Sequence, residues 1–306
     1  MPQAIDELFA ILAPYGAARE TPMSSLTSFR IGGPAALFLE PKDRACLFLA
    51  LEKARALSVP VTLMGNGTNL LVSDDGVAGL VVKLGPAFSK MEVETQTGRV
   101  TALAGALLSA LANFAADQGL MGLEWAAGIP GSVGGALAMN AGAYGGEMKD
   151  ALCALEYLDV GTGEVYCRPA LAGELGYRAS AFSWPARAVL SAVFSLAPDD
   201  GGMRARMQDY ARRRRDKQPL SYPSAGSAFK RPKGHFAGAL IEAAGLKGAR
   251  VGGAMVSELH AGFIINTGDA TCADVLALLD LVKTRVLATS GVELEPEIRL
   301  IGRNMP

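Results

Sequence analysis

The chain has 306 residues, 50% of them apolar, and a formal net charge of −1. That length allows about two domains, or three small ones, with enough apolar residues for sizeable cores. A charge near zero argues against a nucleic-acid-coating protein and against a polybasic membrane binder.

Taken in chain order, residues 4–15 predict a short amphipathic helix ending near Pro14. Leu37–Glu40 reads as a strand, and Asp43 then caps a helix that runs to about Leu57, with Pro60 marking its end. Val61–Met64 is an apolar strand leading straight into Gly65-Asn-Gly-Thr-Asn69, and Leu80–Leu84 is another strand. This rhythm of strand, helix and strand predicts an α/β unit. Residues 90–104 alternate around Thr97-Gly98 as a hairpin, and Leu107–Gln118 is helical with Gly119 closing it. A second hairpin is expected from Ala154–Val160 and Glu164–Cys167, followed by a strand over Val189–Leu196.

Asp199-Asp-Gly-Gly202 reads as a domain boundary, after which a basic helix carries Arg212-Arg-Arg-Arg215. That charge run is read as a solvated helix face rather than an anion site. Helix is expected over Phe236–Ala244, strand over Gly262–Asn266, and a strong helix from Thr271 or Asp274 to about Thr289. Residues 292–301 then alternate, with Val292, Leu294, Ile298 and Leu300 on one face and Glu293, Glu295, Glu297 and Arg299 on the other. Pro296 marks it as an edge strand. The expected division is residues 1–85 and 86–200 as two lobes and 201–306 as a third part, with 292–301 able to return to the first lobe.

Cys46, Cys153, Cys167 and Cys272 are scattered and form no C-x-x-C pair, which argues against structural zinc and against a disulfide framework. His235 and His260 are too few for a histidine-rich metal site, so no metal is expected. The N-terminus lacks the features of a signal peptide, and no run of about 18 uncharged apolar residues occurs. A soluble, cytoplasmic protein without nucleic-acid or membrane partners is therefore expected.

The most informative segment is 128–146, which holds seven glycines in nineteen residues and no charged side chain at all. Such a segment reads as a loop whose bare backbone comes close to a ligand, since repeated glycine removes the Cβ atoms that would hold a phosphate away. Gly65-Asn-Gly-Thr-Asn69 is a second, weaker candidate, because Asn-Gly is also ordinary turn chemistry. Neither loop is a Rossmann fingerprint or a P-loop. Together they predict a long, diphosphate-bearing ligand.

Six motifs occur in order: Ser28-Phe-Arg-Ile-Gly-Gly33, Gly65-Asn-Gly-Thr-Asn-Leu-Leu-Val-Ser-Asp74, the glycine loop from Gly128 to Gly145, Tyr177-Arg178, Gly226-Ser-Ala-Phe-Lys-Arg-Pro232 and Glu295-Pro-Glu-Ile-Arg-Leu-Ile-Gly302. Together they closely resemble the UDP-N-acetylenolpyruvoylglucosamine reductase family, from about Ser25 to Gly302. The resemblance implies an α+β fold, with a two-lobed FAD-binding region of the vanillyl-alcohol-oxidase/PCMH type and a C-terminal α+β substrate-binding domain. It implies bound FAD, NADPH as co-substrate, and a sugar-nucleotide substrate that uses the same site as NADPH. The reaction would be reduction of an enolpyruvyl ether to UDP-N-acetylmuramate, a cytoplasmic step of peptidoglycan precursor synthesis, by a monomer.

On the same resemblance, Ser227 would be the proton donor, Arg178 would hold the substrate carboxylate, and Glu297 would assist the enolate or its protonation. Residue chemistry alone does not single these out, and the alternation of 292–301 cannot choose Glu297 over Glu293 or Glu295. FAD would lie against Gly65, Asn66, Gly67, Thr68, Asn69, Gly128, Ile129, Gly131, Ser132, Gly134, Gly135, Asn140, Ala141 and Gly142. Tyr177, Lys217, Arg231 and His260 would meet the substrate. Arg178 and Ser227 are 49 positions apart, too close for the tyrosine-bearing lid of some members, so the chain resembles the lidless class. Trp125 stands where a phenylalanine is usual. The alternative is an FAD-linked oxidase or dehydrogenase of the same flavin fold acting on another small substrate.

Overall fold

The protein is described here by a computed structural model of residues 2–305. The chain divides into two compact units. The first comprises the residues up to Arg19, Leu37–Asn66 and Gly79–Arg214; the second comprises Glu20–Ala36, Gly67–Ala78 and the chain from Arg215 onward. This interleaving differs from the consecutive stretches expected from the sequence. Its cause is local: Pro34–Leu39 and Val77–Lys83 are continuous strands that each carry the chain out of one unit and into the other.

In the first unit the helix Arg44–Ala56 starts where expected, because the Asp43 carboxylate accepts a hydrogen bond from Cys46 N at 2.7 Å. Val61–Met64 runs parallel to Val77–Lys83, with Val61 opposite Leu80. A five-stranded antiparallel sheet follows, in the order Val165–Pro169, Leu152–Asp159, Arg187–Ser195, Arg99–Leu103 and Met91–Glu94. Its two hairpins turn at glycines, Gly98 at φ 68°, as predicted, and Gly163 at φ 79°. The helix Leu108–Asp117 buries Leu108, Leu111, Ala112 and Ala115, the spacing of one apolar face. Met203 and Met207 place the basic helix Met203–Lys217 on this core. This helix belongs to the first unit as far as Arg214.

The second unit has a four-stranded sheet in the order Ser224–Ser227, Phe263–Asn266, Ala254–Val256 and Arg250–Val251. The helix Cys272–Ser290 contributes Val275, Leu278, Leu279, Val282 and Val286 to its core. Thr271 and Asp274 form a capping box at its start, and Gly291 closes it at φ 70°. Asp74 adds a second cap, accepting from Cys272 N at 2.8 Å and from Ala273 N at 3.0 Å. Asp74→Ala is expected to lower stability by about 1 kcal/mol, the usual size of a lost N-cap. Chemical denaturation measures this, with the slope unchanged.

The final segment departs from the expected long strand. Only Arg299–Ile301 is regular, pairing in parallel with Leu70–Val72. Upstream, Pro296 makes a single bridge with Phe229. Proline has no N–H to extend a ladder there. Leu294 and Ile298 are nonetheless buried and Glu293 and Glu295 exposed, so the predicted alternation holds without a continuous strand.

Candidate active site

The glycine segment is not all loop. Val133–Ala138 is a short helix, which the glycines alone argued against. Ser132 caps it, its hydroxyl accepting from Gly135 N at 3.3 Å. The helix persists because Gly134 is a packing glycine: a Cβ there would lie 2.9 Å from Ala104 Cβ. The loop is also pinned by backbone, with Val133 N donating to Ala106 O and Gly134 N to Ala104 O, each at 2.8 Å. Gly146 is set by Trp125, whose indole would meet an added Cβ at 2.2 Å.

The two glycine loops meet at their first residues. A Cβ on Gly65 would fall 2.0 Å from Ser132 Oγ, and Asn66 Nδ2 donates to Pro130 O at 2.7 Å. Gly65 and Asn66 thus lie on the stretch that contains Ile129, Gly131 and Ser132. Gly128 and Gly135 are exposed. Beside Gly128 lies Arg214, whose Cδ would be 3.0 Å from a Cβ at that glycine. Burial lowers the Arg214 guanidinium below its ordinary value, a sign that a cation has been taken partly out of water. The basic run therefore splits: Arg212 and Arg213 pair with Asp209 on the outside, and Arg214 turns inward. Sequence reading missed Arg214, since only the helix phase distinguishes it from its neighbours. A bare-backbone loop with a half-buried cation beside it fits the diphosphate of a dinucleotide.

Asn140 and Ala141 follow the short helix. Asn140 is fully buried, and its side chain bonds Glu147, Gly176 and Lys149. Ala141 N returns to Ala136 O at 2.8 Å. Gly142 pairs with Glu147 across a two-residue ladder.

Tyr177 and Arg178 form the tip of the hairpin Leu175–Gly176/Ala179–Ser180. Arg178 sits at φ 52°, a left-handed conformation that favours glycine or asparagine. An arginine there costs about 1–2 kcal/mol of backbone strain. Its guanidinium lies 5.1 Å from the Tyr177 ring centroid and donates to Gly142 O at 3.4 Å.

Ser227, Glu297 and Asn69 come together in the second unit. Ser224 faces Ile265 while Ser227 faces Phe263, so three steps oppose two and the strand bulges. Gly226, at φ 79°, lies within the bulge. Such bulges re-aim a side chain next to many active sites. Glu297 N donates to the carbonyl of Ala228, the residue after Ser227, at 2.9 Å. Asn69 brackets Glu297, its Nδ2 donating to Glu297 O at 3.1 Å and its carbonyl accepting from Arg299 N at 2.9 Å. The side-chain amide of Asn69 is thus used on the Glu297 segment. Glu295, by contrast, is exposed and paired with Lys230. Gly67, at φ 65°, accepts from Ser28 N at 3.1 Å, and Thr68 is half-buried beside it.

The remaining substrate candidates also lie in the second unit. Lys217 is exposed at the end of its helix. The Arg231 guanidinium lies 3.9 Å above the exposed ring of Phe236. His260 Nδ1 accepts from Gly262 N at 3.0 Å, which leaves the proton of the neutral ring on Nε2 as a donor. Burial lowers its pKa, so it is neutral at pH 7. Because the folded pKa is depressed, protonation destabilises the fold only as pH falls below the unfolded value near 6.5. The KM for a ligand bound through Nε2–H is expected to be flat from about pH 8 to 6.5 and to change only in more acidic buffer. A pH series of KM with His260→Gln as control measures this.

Comparisons with known proteins bear on this geometry. A family model described as an FAD binding domain matches residues 35–167, which include Gly65, Asn66 and the whole glycine segment. The first unit and its joined loops thus define the chain as an FAD-binding oxidoreductase. A second model, the C-terminal domain of UDP-N-acetylenolpyruvoylglucosamine reductase, matches residues 218–301. The chain is 47% identical over 299 residues to the UDP-N-acetylenolpyruvoylglucosamine reductase of Agathobacter rectalis, covering 94% of each. It is 44% identical over 297 residues to that of Syntrophomonas wolfei, covering 97% of this chain and 98% of the other. The crystal structure of the Thermus caldophilus reductase superposes with a TM-score of 0.77 at 36% identity, covering 93% of this chain and 98% of that one. The chain belongs to the UDP-N-acetylenolpyruvoylglucosamine reductase family. The α+β class and the bound FAD expected from the sequence both hold.

Proposed function

We propose that the protein reduces the enolpyruvyl ether of UDP-N-acetylglucosamine to UDP-N-acetylmuramate, with NADPH as reductant, as a step of peptidoglycan precursor synthesis. The observation that supports this most is the bulge that presents Ser227 beside the segment holding Glu297. FAD, held at the two glycine loops and reduced by NADPH, would supply a hydride when bound. The protein's own residues then manage charge and the proton. Addition of hydride to the enol carbon remote from the carboxylate leaves an enolate-like carboxylate on the substrate. Arg178 binds that carboxylate with its planar fork and spreads the growing negative charge. Ser227 Oγ delivers the proton to the carbon next to the carboxylate. A serine is a weak acid in water, but a strongly basic enolate accepts its proton when the hydroxyl is already in place. Glu297 assists this step from the neighbouring segment.

Gly65, Asn66, Gly128, Ile129, Gly131, Gly135 and Gly142 line the backbone approach to FAD, with Arg214 as the adjacent cation. Ser132, Gly134, Asn69 and Asn140 serve it as framework, since their groups are used in holding the loops and strands in place. Gly67, Thr68 and Ala141 complete the two loops. Tyr177, Lys217, Arg231 and His260 meet the sugar nucleotide. NADPH and substrate occupy the same site in turn. Among the described residues no helix is long and apolar enough to cross a membrane. We place the enzyme in the cytoplasm as a monomer. The deciding measurement is reoxidation of the NADPH-reduced protein by the enolpyruvyl sugar nucleotide under anaerobic conditions. Reduction by NADPH with no reoxidation by that substrate would favour an oxidase or dehydrogenase acting on something else.

A further inference from the structure

Arg178 is held by a network that its own backbone does not explain. The side-chain nitrogen of the fully buried Asn140 donates both to Glu147 Oε2 at 2.7 Å and to Gly176 O at 2.9 Å. Its oxygen accepts from Lys149 N at 3.1 Å, so each polar atom of the amide has a partner. Gly176 is the base of the turn that carries Arg178 in its left-handed conformation. Gly142, whose carbonyl meets Arg178 Nη2, lies opposite Glu147 in the ladder Gly142–Ala143/Gly146–Glu147. One asparagine therefore ties the base of the arginine's turn to the carboxylate beside the arginine's backbone acceptor.

Glu147 is fixed from several sides. Its Oε2 is 2.9 Å from Lys149 Nζ, and its own N–H donates to Asp150 Oδ2 at 2.8 Å. Its carboxyl lies below the ordinary carboxylate range, first through Lys149, then Asn140, with the charge of Arg178 contributing. The group is thus an anion held opposite Gly142, the residue whose carbonyl accepts from Arg178.

We propose that Asn140 and Glu147 are positioning residues for Arg178: the amide locks the turn that carries it, and the carboxylate anchors the ladder whose Gly142 carbonyl receives its guanidinium. The inference rests on the reading of Arg178 as the group that binds the substrate carboxylate. A free Arg side chain samples many rotamers, and fixing it beforehand spares that entropy when the enolate forms.

The test uses the FAD-loaded enzyme and three variants, Glu147→Gln, Asn140→Asp and Arg178→Ala, with the double variant Glu147→Gln/Arg178→Ala. Flavin absorbance, reduction by NADPH and reoxidation by the enolpyruvyl substrate are measured separately. Glu147→Gln and Asn140→Asp are expected to keep their flavin. Their reoxidation should slow by about tenfold or more, the range of a lost charge-assisted hydrogen bond, and Glu147→Gln should add nothing in the Arg178→Ala background. Four results overturn the proposal. Reoxidation at the parent rate in both single variants, with Arg178→Ala impaired, rejects the positioning role alone. A Glu147→Gln loss that persists at full size without Arg178, or a loss of flavin in both single variants, makes the network purely structural. Arg178→Ala reoxidised at the parent rate removes the role of Arg178 itself, and the positioning role with it.

Discussion

Ser227→Ala is expected to retain FAD, to be reduced by NADPH at an ordinary rate, and to lose overall turnover by about 10²–10⁴-fold, the range for removal of a positioned acid. The reasons are local. Ser227 ends a strand whose bulge gives it a fixed direction, with Gly226 at φ 79° taking the strain. Removing one oxygen leaves that backbone unchanged, because its neighbours are held by main-chain bonds from Ala228 N to Gly262 O and from Glu297 N to Ala228 O. Only the half-reaction that needs a proton should suffer. Stopped-flow absorbance separates the two halves: bleaching by NADPH should match the parent protein, and colour should return slowly on adding the enolpyruvyl substrate. Loss of the yellow colour on purification would place Ser227 in flavin binding instead. A normal rate of colour return would remove it from the chemistry. Ser227→Cys, which keeps a proton on the side chain, is expected to recover part of the rate.

Gly65→Ala is expected to abolish stable FAD loading, and a second change to glycine at Ser132 is expected to restore it. The added methyl would lie 2.0 Å from Ser132 Oγ, far inside contact distance, so one loop must move. Overpacking of this kind costs about 1–3 kcal/mol in a folded core. Here the neighbour is not a flexible chain end, because the Ser132 hydroxyl caps the short helix and its flanking backbone is pinned to Ala104 and Ala106. The strain is therefore expected to part the two glycine loops. With Ser132 reduced to glycine, the clashing hydroxyl and its carbon are both gone, and the next atom is Gly135 N at 3.9 Å, ordinary contact. The lost cap costs about a further 0.5 kcal/mol or less, since glycine is itself tolerated as an N-cap. Titration of the apoprotein with FAD, followed by flavin fluorescence, measures both variants. A Gly65→Ala protein that binds FAD like the parent would mean that the loops need not touch.

The regular elements were largely legible in the sequence, for reasons that are local. Asp43, Thr271, Gly98 and Gly119 fix helix and hairpin ends through their own side chains or dihedral freedom, and all stand where expected. The glycine segment announced a close backbone approach, and the ordered motifs carried the family. Other features depend on partners far away in the chain. The helix Val133–Ala138 tolerates its glycines because Ala104 leaves no room for a Cβ at Gly134. Arg214 differs from Arg212 and Arg213 only in the helix face that turns toward Gly128. Glu297 differs from Glu295 because Asn69, 228 residues away, bonds its carbonyl while Glu295 pairs with Lys230 at the surface.

The sequence by itself determined where the chain turns, which residue types are available for chemistry, and which glycine-rich stretch is open to a close backbone approach. Only the tertiary structure decided which of those glycines are packed against the protein itself. The physical reason is that a glycine's missing Cβ has the same signature in sequence whether the space is filled by a phosphate, by Ser132, by Ala104 or by the indole of Trp125.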